Sequence, residues 1–181
     1  MVSGTLTLPK QNKDDGPLGI DISISCRSWS DALPSVVALC RTAVTQAVLA
    51  GLNKPSEQIP KAEISLVLSD NEFIRELNKS YRQIDKPTNV LAFPGDAIPE
   101  HVRDPSIPLL LGDVVVAYET AALEAETEQK TLADHLQHLV VHGTLHLLGH
   151  DHDNETAAEE MEALEAKALQ VLGVKNPYGD G

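Results

Sequence analysis

The sequence predicts an α+β protein: a single layered domain in which a small mixed sheet of about four strands is packed by four to five helices. Three observations predict it. Short alternating or apolar runs recur at 20–25, 63–69, 89–94 and 109–118, and stretches of helical periodicity separate them. At 181 residues the chain has room for one core of ordinary size and none for a second domain. Its hydrophobic content is 42%, yet no run approaches the roughly 18 apolar residues that a membrane-spanning helix needs.

Residues 1–18 are rich in Gly, Pro, Lys and Asp and are expected to form a loose arm ahead of a domain spanning 19–175, with 176–181 as a tail. "IDISIS" (20–25) alternates as a half-buried strand does. A helix is expected from about Pro34, with Val37, Cys40, Val44 and Val48 facing inward, ending at Gly51. "EISLVLS" (63–69) reads as a second strand, and Asp70 as the N-cap of a helix running to about Tyr81. "NVLAFP" (89–94) is a short strand closed by proline, followed by a proline-rich loop to about 108. "LLLGDVVVAY" (109–118) reads as a buried strand entering a helix over roughly 117–128. Thr131 with Asp134 marks the start of a helix reaching about Leu148. Thr156 with Glu159 repeats the capping pattern, and Met161, Leu164, Ala168 and Leu172 then trace an inner face ending at Gly173. Periodicity does not encode the order of the strands.

The formal charge of −13 is unevenly placed. Residues 1–88 hold ten Lys/Arg and ten Asp/Glu, whereas 89–181 hold four and seventeen, so 4 − 17 = −13 lies entirely in the second half. Within the balanced half, Arg75, Lys79, Arg82 and Lys86 recur at helical steps and would align along one side of a continuous helix. Cys26 and Cys40 form no Cys-x-x-Cys pair, which argues against a disulfide scaffold or a thiolate zinc site. The N-terminal stretch lacks the apolar core of a secretion signal, and a cytoplasmic location is expected.

The most informative stretch is "HGTLHLLGHDH" (142–152), which holds four of the seven histidines. On a helix, His142 and His146 differ by about 40° and one turn, so both rings reach one ion. The surrounding helix is apolar nearly all round, so these rings are desolvated and need partners. Two residues compete as third ligand. His150 continues the helical spacing, but Gly149 suits a C′ turn of positive φ that would return His152 toward the pair. His-x3-His-x5-His, with glycine three residues after the second histidine, is the spacing of the metzincin-like three-histidine helix and turn, which favours His142, His146 and His152. His135 and His138 are expected to be hydrogen-bonded partners or surface residues. Three imidazoles favour one Zn²⁺ per chain over Mg²⁺ or Ca²⁺. Three ligands leave a fourth position open, where a water's pKa would fall to about 7.

Metalloproteases with this helix place a glutamate after the first histidine as general base; here that residue is Gly143. A phosphodiester instead needs an activated nucleophile and cations on the phosphate oxygens, which gives the basic segment a purpose. Arg75, Lys79 and Lys86 are candidate substrate contacts. Asp113, in an apolar strand, and Asp151, beside His152, are candidates to orient site groups.

Taken together, "ELNKSYRQIDKPTNVLAFP" (76–94), "LGDVVVA" (111–117) and "HGTLHLLGHDH" (142–152) resemble the YbeY family of bacterial endoribonucleases, over about residues 63–172 and in the same order. His150 falls where many relatives carry tyrosine, which weakens it further as a ligand. The resemblance implies a zinc-dependent, single-strand-specific endoribonuclease that matures and quality-checks small-subunit ribosomal RNA, with the small subunit or an assembly protein as partner. It assigns the metal histidines to His142, His146 and His152 and the functional arginine to Arg82, whose planar fork suits a phosphate. Two other readings compete: a metalloprotease with its base supplied from elsewhere, and a non-catalytic RNA-binding assembly factor.

Overall fold

The structure, a computed structural model, describes residues 17–96, 104 and 106–179. Ten principal elements follow one another: β1 (Leu18–Ile24), α1 (Ser28–Ala32), α2 (Val36–Leu52), β2 (Ala62–Ser69), α3 (Asn71–Arg82), β3 (Val90–Pro94), β4 (Leu109–Ala117), α4 (Tyr118–Thr127), α5 (Leu132–Leu147) and α6 (Glu155–Val171). A 3₁₀ turn, Ser56–Gln58, precedes β2. The expected arm lies outside the described residues except at its end, as does most of the proline-rich loop. The sheet runs β1-β2-β4-β3. β1, β2 and β4 are parallel, and β3 pairs antiparallel with β4 at one edge. Among the described residues the expected mixed sheet of four strands is present, with six helices where four or five were expected.

Alternation along the strands divides the interior in two. Ile64, Leu66 and Leu68 of β2 and Val114 and Val116 of β4 join the main core with residues of α2, α5 and α6. Leu91, Val115 and Ala117 point the other way and meet Ile74 of α3. The sheet therefore separates α3 from the histidine helix α5. Main-core side chains such as Cys40, Val44, Leu136, Val140 and Leu145 are wholly buried, each removed from water to a gain of about 1.5–3 kcal/mol for the larger ones.

Several local details differ from the sequence expectation. The inward face of α2 begins with Val36 (2% exposed), while Val37 is 41% exposed, because the helix starts later than Pro34 and its phase follows Val36, Cys40 and Val44. α1 is too short to leave a periodic signal. It seats Trp29, which is fully buried and donates Nε1–H to the Ser69 carbonyl at 3.0 Å. Asp70 and Thr131 cap α3 and α5 as expected, accepting from the N–H of Phe73 and Asp134 at 2.9 and 3.0 Å. For α6 the cap is Asn154, accepting from Ala157 N–H at 3.0 Å, two residues before the expected Thr156.

β4 carries an irregularity that matters for the site. Its register against β2 shifts between Glu63 and Ile64, opposite a Gly112 at φ +125. A Cβ on Gly112 would stand 2.1 Å from the Phe93 carbonyl oxygen, so only glycine passes there. The extra residue reverses the alternation, leaving Leu111 in the main core and Asp113 exposed on the α3 side.

Candidate metal centre

α5 ends in a reversal that the sequence signalled. Gly149 adopts φ +89. Its N–H donates to the His146 carbonyl at 3.0 Å, and the His150 N–H donates to the Leu145 carbonyl at 3.1 Å, the paired bonds of a Schellman turn. The turn parts the two competing histidines. His150 swings toward α2, where its Nε2 donates to the Gly51 carbonyl at 3.1 Å. His152 returns toward α5, with ring centroids 5.1 Å from His146 and 5.8 Å from His142.

His142, His146 and His152 thus each offer a ring nitrogen, and all three lie within 4.8 Å of one another. The Nε2 atoms of His142 and His146 are 3.1 Å apart. The first two side chains are 27% and 23% exposed and His152 is exposed, so the cluster opens on one side to solvent.

Behind the cluster lies a residue that the sequence reading did not single out. Glu165 of α6 is 1% exposed. Its Oε1 lies 2.6 Å from His142 Nδ1, its Oε2 lies 3.0 Å from His138 Nε2, and the Tyr178 hydroxyl donates to Oε2. Burial pushes this carboxyl up, but the hydrogen bonds from His138, His142 and Tyr178 outweigh it and hold the group at about 2. An ionised carboxylate only accepts, so the ring nitrogens facing it carry the protons. With Nδ1 on Glu165, His142 turns its Nε2 toward the cluster, the arrangement in which a carboxylate orients a metal-binding imidazole. The other ring nitrogen of His138, Nδ1, is buried without a hydrogen-bond partner among the described residues. Glu165 occupies the inward stripe with Met161 and Ala168, and an acid in such a stripe was the available signal.

For His146, burial depresses the pKa, and the neighbouring His142 and His152 depress it further. The ring stays neutral to lower pH than a free imidazole. Three imidazole nitrogens, with one ring oriented by a carboxylate, fit a Zn²⁺-like ion and suit Mg²⁺ or Ca²⁺ poorly. A second, separate tie fixes the start of α5: Glu124 of α4 lies 2.8 Å from His135 Nε2 and accepts from Asn89 Nδ2 at 3.0 Å.

The remaining candidates are dispersed. Asp151 accepts from the His152 N–H at 2.8 Å and stands 3.9 Å from His146 Nδ1, too far for a hydrogen bond. Asp113, expected inside an apolar strand, is exposed on the opposite face of the sheet, so its carboxylate has no burial cost to offset and does not meet the histidines. The basic row is also broken. α3 stops at Arg82, followed by Gln83 at φ 60, so Lys86 lies beyond the helix. Arg75 and Lys79 both hold Asp85, at 2.6 and 3.2 Å. Arg82 and Lys86 are exposed and make no ion pair among the described residues. Arg82 sits at the end of α3, across the sheet from α5, next to Tyr81, whose ring packs on Phe93 of the edge strand β3 at 5.0 Å.

Gly143 explains why no glutamate follows the first histidine. A Cβ there would stand 2.7 Å from Val114 Cγ1 and 3.3 Å from Val90 Cγ2. Position 143 faces the sheet at closest approach and has no room for a side chain. No helix among the described residues is long and apolar enough to cross a membrane.

Comparison with known proteins gives the same assignment over most of the chain. The family model of endoribonuclease YbeY matches residues 35–173. An endoribonuclease YbeY of Paramagnetospirillum magneticum is 45% identical over 161 residues, covering 89% of this chain and 96% of the relative. One from Azorhizobium caulinodans is 48% identical over 160 residues, covering 88% and 95%. A solution structure of TM1509 from Thermotoga maritima, 23% identical, aligns over 90% of this chain and 96% of its own with a TM-score of 0.49. The chain belongs to the endoribonuclease YbeY family, a family of RNA-cleaving hydrolases.

Proposed function

We propose that the protein is a zinc-dependent, single-strand-specific endoribonuclease that acts in the maturation and quality control of small-subunit ribosomal RNA. The observation that carries this reading is the convergence of His142, His146 and His152 within 4.8 Å on a solvent-open face. When bound there, a zinc ion would supply Lewis acidity and lower the pKa of a coordinated water to about 7.

The chain's own residues do the rest. Glu165 fixes the tautomer and orientation of His142, and the depressed pKa of His146 keeps that ring available at neutral pH. Arg82 and Lys86, which make no ion pair among the described residues, grip phosphates, while Arg75 and Lys79 are engaged by Asp85. Tyr81, 70% exposed beside Arg82, offers a stacking face to an unpaired base. The RNA strand runs past the β3 edge, which joins the two faces of the sheet. Either water or a ribose 2′-OH serves as nucleophile. Because the second half of the chain carries all the excess negative charge, RNA affinity is weak without help, and a protein of the small subunit or an assembly factor in the cytoplasm supplies the rest.

The metalloprotease reading requires a general base, and the packing at Gly143 denies it the usual position. The deciding experiment joins metal analysis to RNA cleavage by highly purified protein, with His142→Ala, chelator and unfolded casein as controls. The expected result is about one zinc per chain and cleavage of single-stranded RNA, both lost in His142→Ala. Arg82→Glu retains zinc and loses cleavage. Cleavage of casein alone would favour the protease; zinc binding and RNA binding without cutting would favour a non-catalytic assembly factor.

A further inference from the structure

The C-terminal segment, set apart from the domain in the sequence reading, folds back onto the centre. Gly173 adopts φ +74, and the Val174 N–H donates to the Leu169 carbonyl at 3.0 Å, closing α6. Asn176 then organises a tight turn. Its Oδ1 accepts from the Tyr178 N–H at 3.1 Å, and its Nδ2 donates to the Gly179 carbonyl at 2.8 Å. That turn directs the Tyr178 hydroxyl onto Glu165 Oε2 and sets its ring edge-on to His138 at 6.1 Å.

Glu165 is thereby held by three donors, two from α5 and one from the tail. A carboxylate in an apolar interior keeps one orientation only while its oxygens are satisfied. Tyr178 satisfies Oε2 from the solvent side, since the residue is itself 44% exposed. Without that hydroxyl, water would compete for Oε2 and the carboxylate would be free to turn, loosening its Oε1 from His142 Nδ1.

We propose that residues 174–179 act as a latch on the metal centre, with Tyr178 working through Glu165 to position His142 for a divalent transition metal. Tyr178 is a positioning residue and touches neither metal nor substrate. The proposal rests on the three-histidine reading above. By reciprocity, metal loading also holds the tail in place.

The test is Zn²⁺ affinity of the full chain, measured by competition with a chromophoric chelator, in a double-mutant cycle. Tyr178→Phe, which removes only the hydroxyl, should weaken Zn²⁺ binding about 3- to 10-fold, and Glu165→Gln about 10- to 100-fold. In the Glu165→Gln background, Tyr178→Phe should add nothing further. A chain ending at Lys175 should lose at least as much affinity as Tyr178→Phe. Unchanged emission from the buried Trp29 checks that each variant is folded. If His142→Ala binds Zn²⁺ as tightly as wild type, the metal-centre reading falls and the latch with it. If His142→Ala loses Zn²⁺ while Tyr178→Phe and the shortened chain bind like wild type, the centre stands and the latch is wrong. Full additivity of the two substitutions also overturns it.

Discussion

His142 Nδ1 and Glu165 Oε1 lie 2.6 Å apart, although the two residues are 23 positions apart in the chain. The bond joins the histidine helix to the last helix and sets which nitrogen of His142 faces the cluster. It also couples the centre to pH. The folded Glu165 carboxyl is held at about 2, below the usual value of about 4.3 in an unfolded chain. A depressed acid stabilises the fold above its unfolded pKa and loses that contribution as pH falls toward the folded value. The contribution is on the order of 3 kcal/mol. His146 acts in the same direction at higher pH, since its depressed pKa lets the unfolded chain take up the proton first, below about 6.5. In metal-free protein, the urea midpoint of wild type should fall in both windows, and that of Glu165→Gln should be lower at pH 7 and flatter between about pH 4.5 and 2.5. A Glu165→Gln profile as steep as wild type across the acid window would contradict this account.

At Gly143 two effects oppose each other. Alanine is the better helix former by about 1 kcal/mol, but its Cβ would stand 2.7 Å from Val114 Cγ1 in a stiff β-branched side chain on a central strand. Overpacking of this kind costs about 1–3 kcal/mol, so the clash wins. Gly143→Ala should be less stable than wild type in urea unfolding, and Gly143→Glu should gain no proteolytic activity on casein. A Gly143→Ala variant more stable than wild type would mean that the sheet yields.

His150 and His152 should separate cleanly. His150→Ala removes a hydrogen bond to the Gly51 carbonyl, costing about 0.5–1.5 kcal/mol of stability with Zn²⁺ content unchanged. His152→Ala, at an exposed position, should leave stability of the metal-free chain within about 0.5 kcal/mol and abolish tight Zn²⁺ binding. Metal analysis beside urea unfolding of the two variants reads both quantities. Loss of metal in His150→Ala with retention in His152→Ala would reverse the choice of third ligand.

The legibility of this protein follows the range of the interactions involved. The positions of β2, β3, β4, α3 and α5 could be read because periodicity and caps are local: Asp70 and Thr131 each bond an amide three residues on. The turn at Gly149 was legible for the same reason. A five-residue α1 was not, since so short a helix shows no period.

The amino-acid sequence by itself determined that two histidines share a helical face, that a glycine ends the helix in time to return a third, and that the residue after the first is too small to act as a base. The tertiary structure decided the rest. It sent His150 to Gly51, drew Glu165 and Tyr178 in behind His142, turned Asp113 outward through the bulge at Gly112, and gave Arg75 and Lys79 to Asp85 while leaving Arg82 without an ion pair among the described residues. Chain-local geometry sets where a side chain points along its own element. Which partner it meets depends on how separate elements pack, and that is set by burial of the whole core rather than by spacing within any one segment.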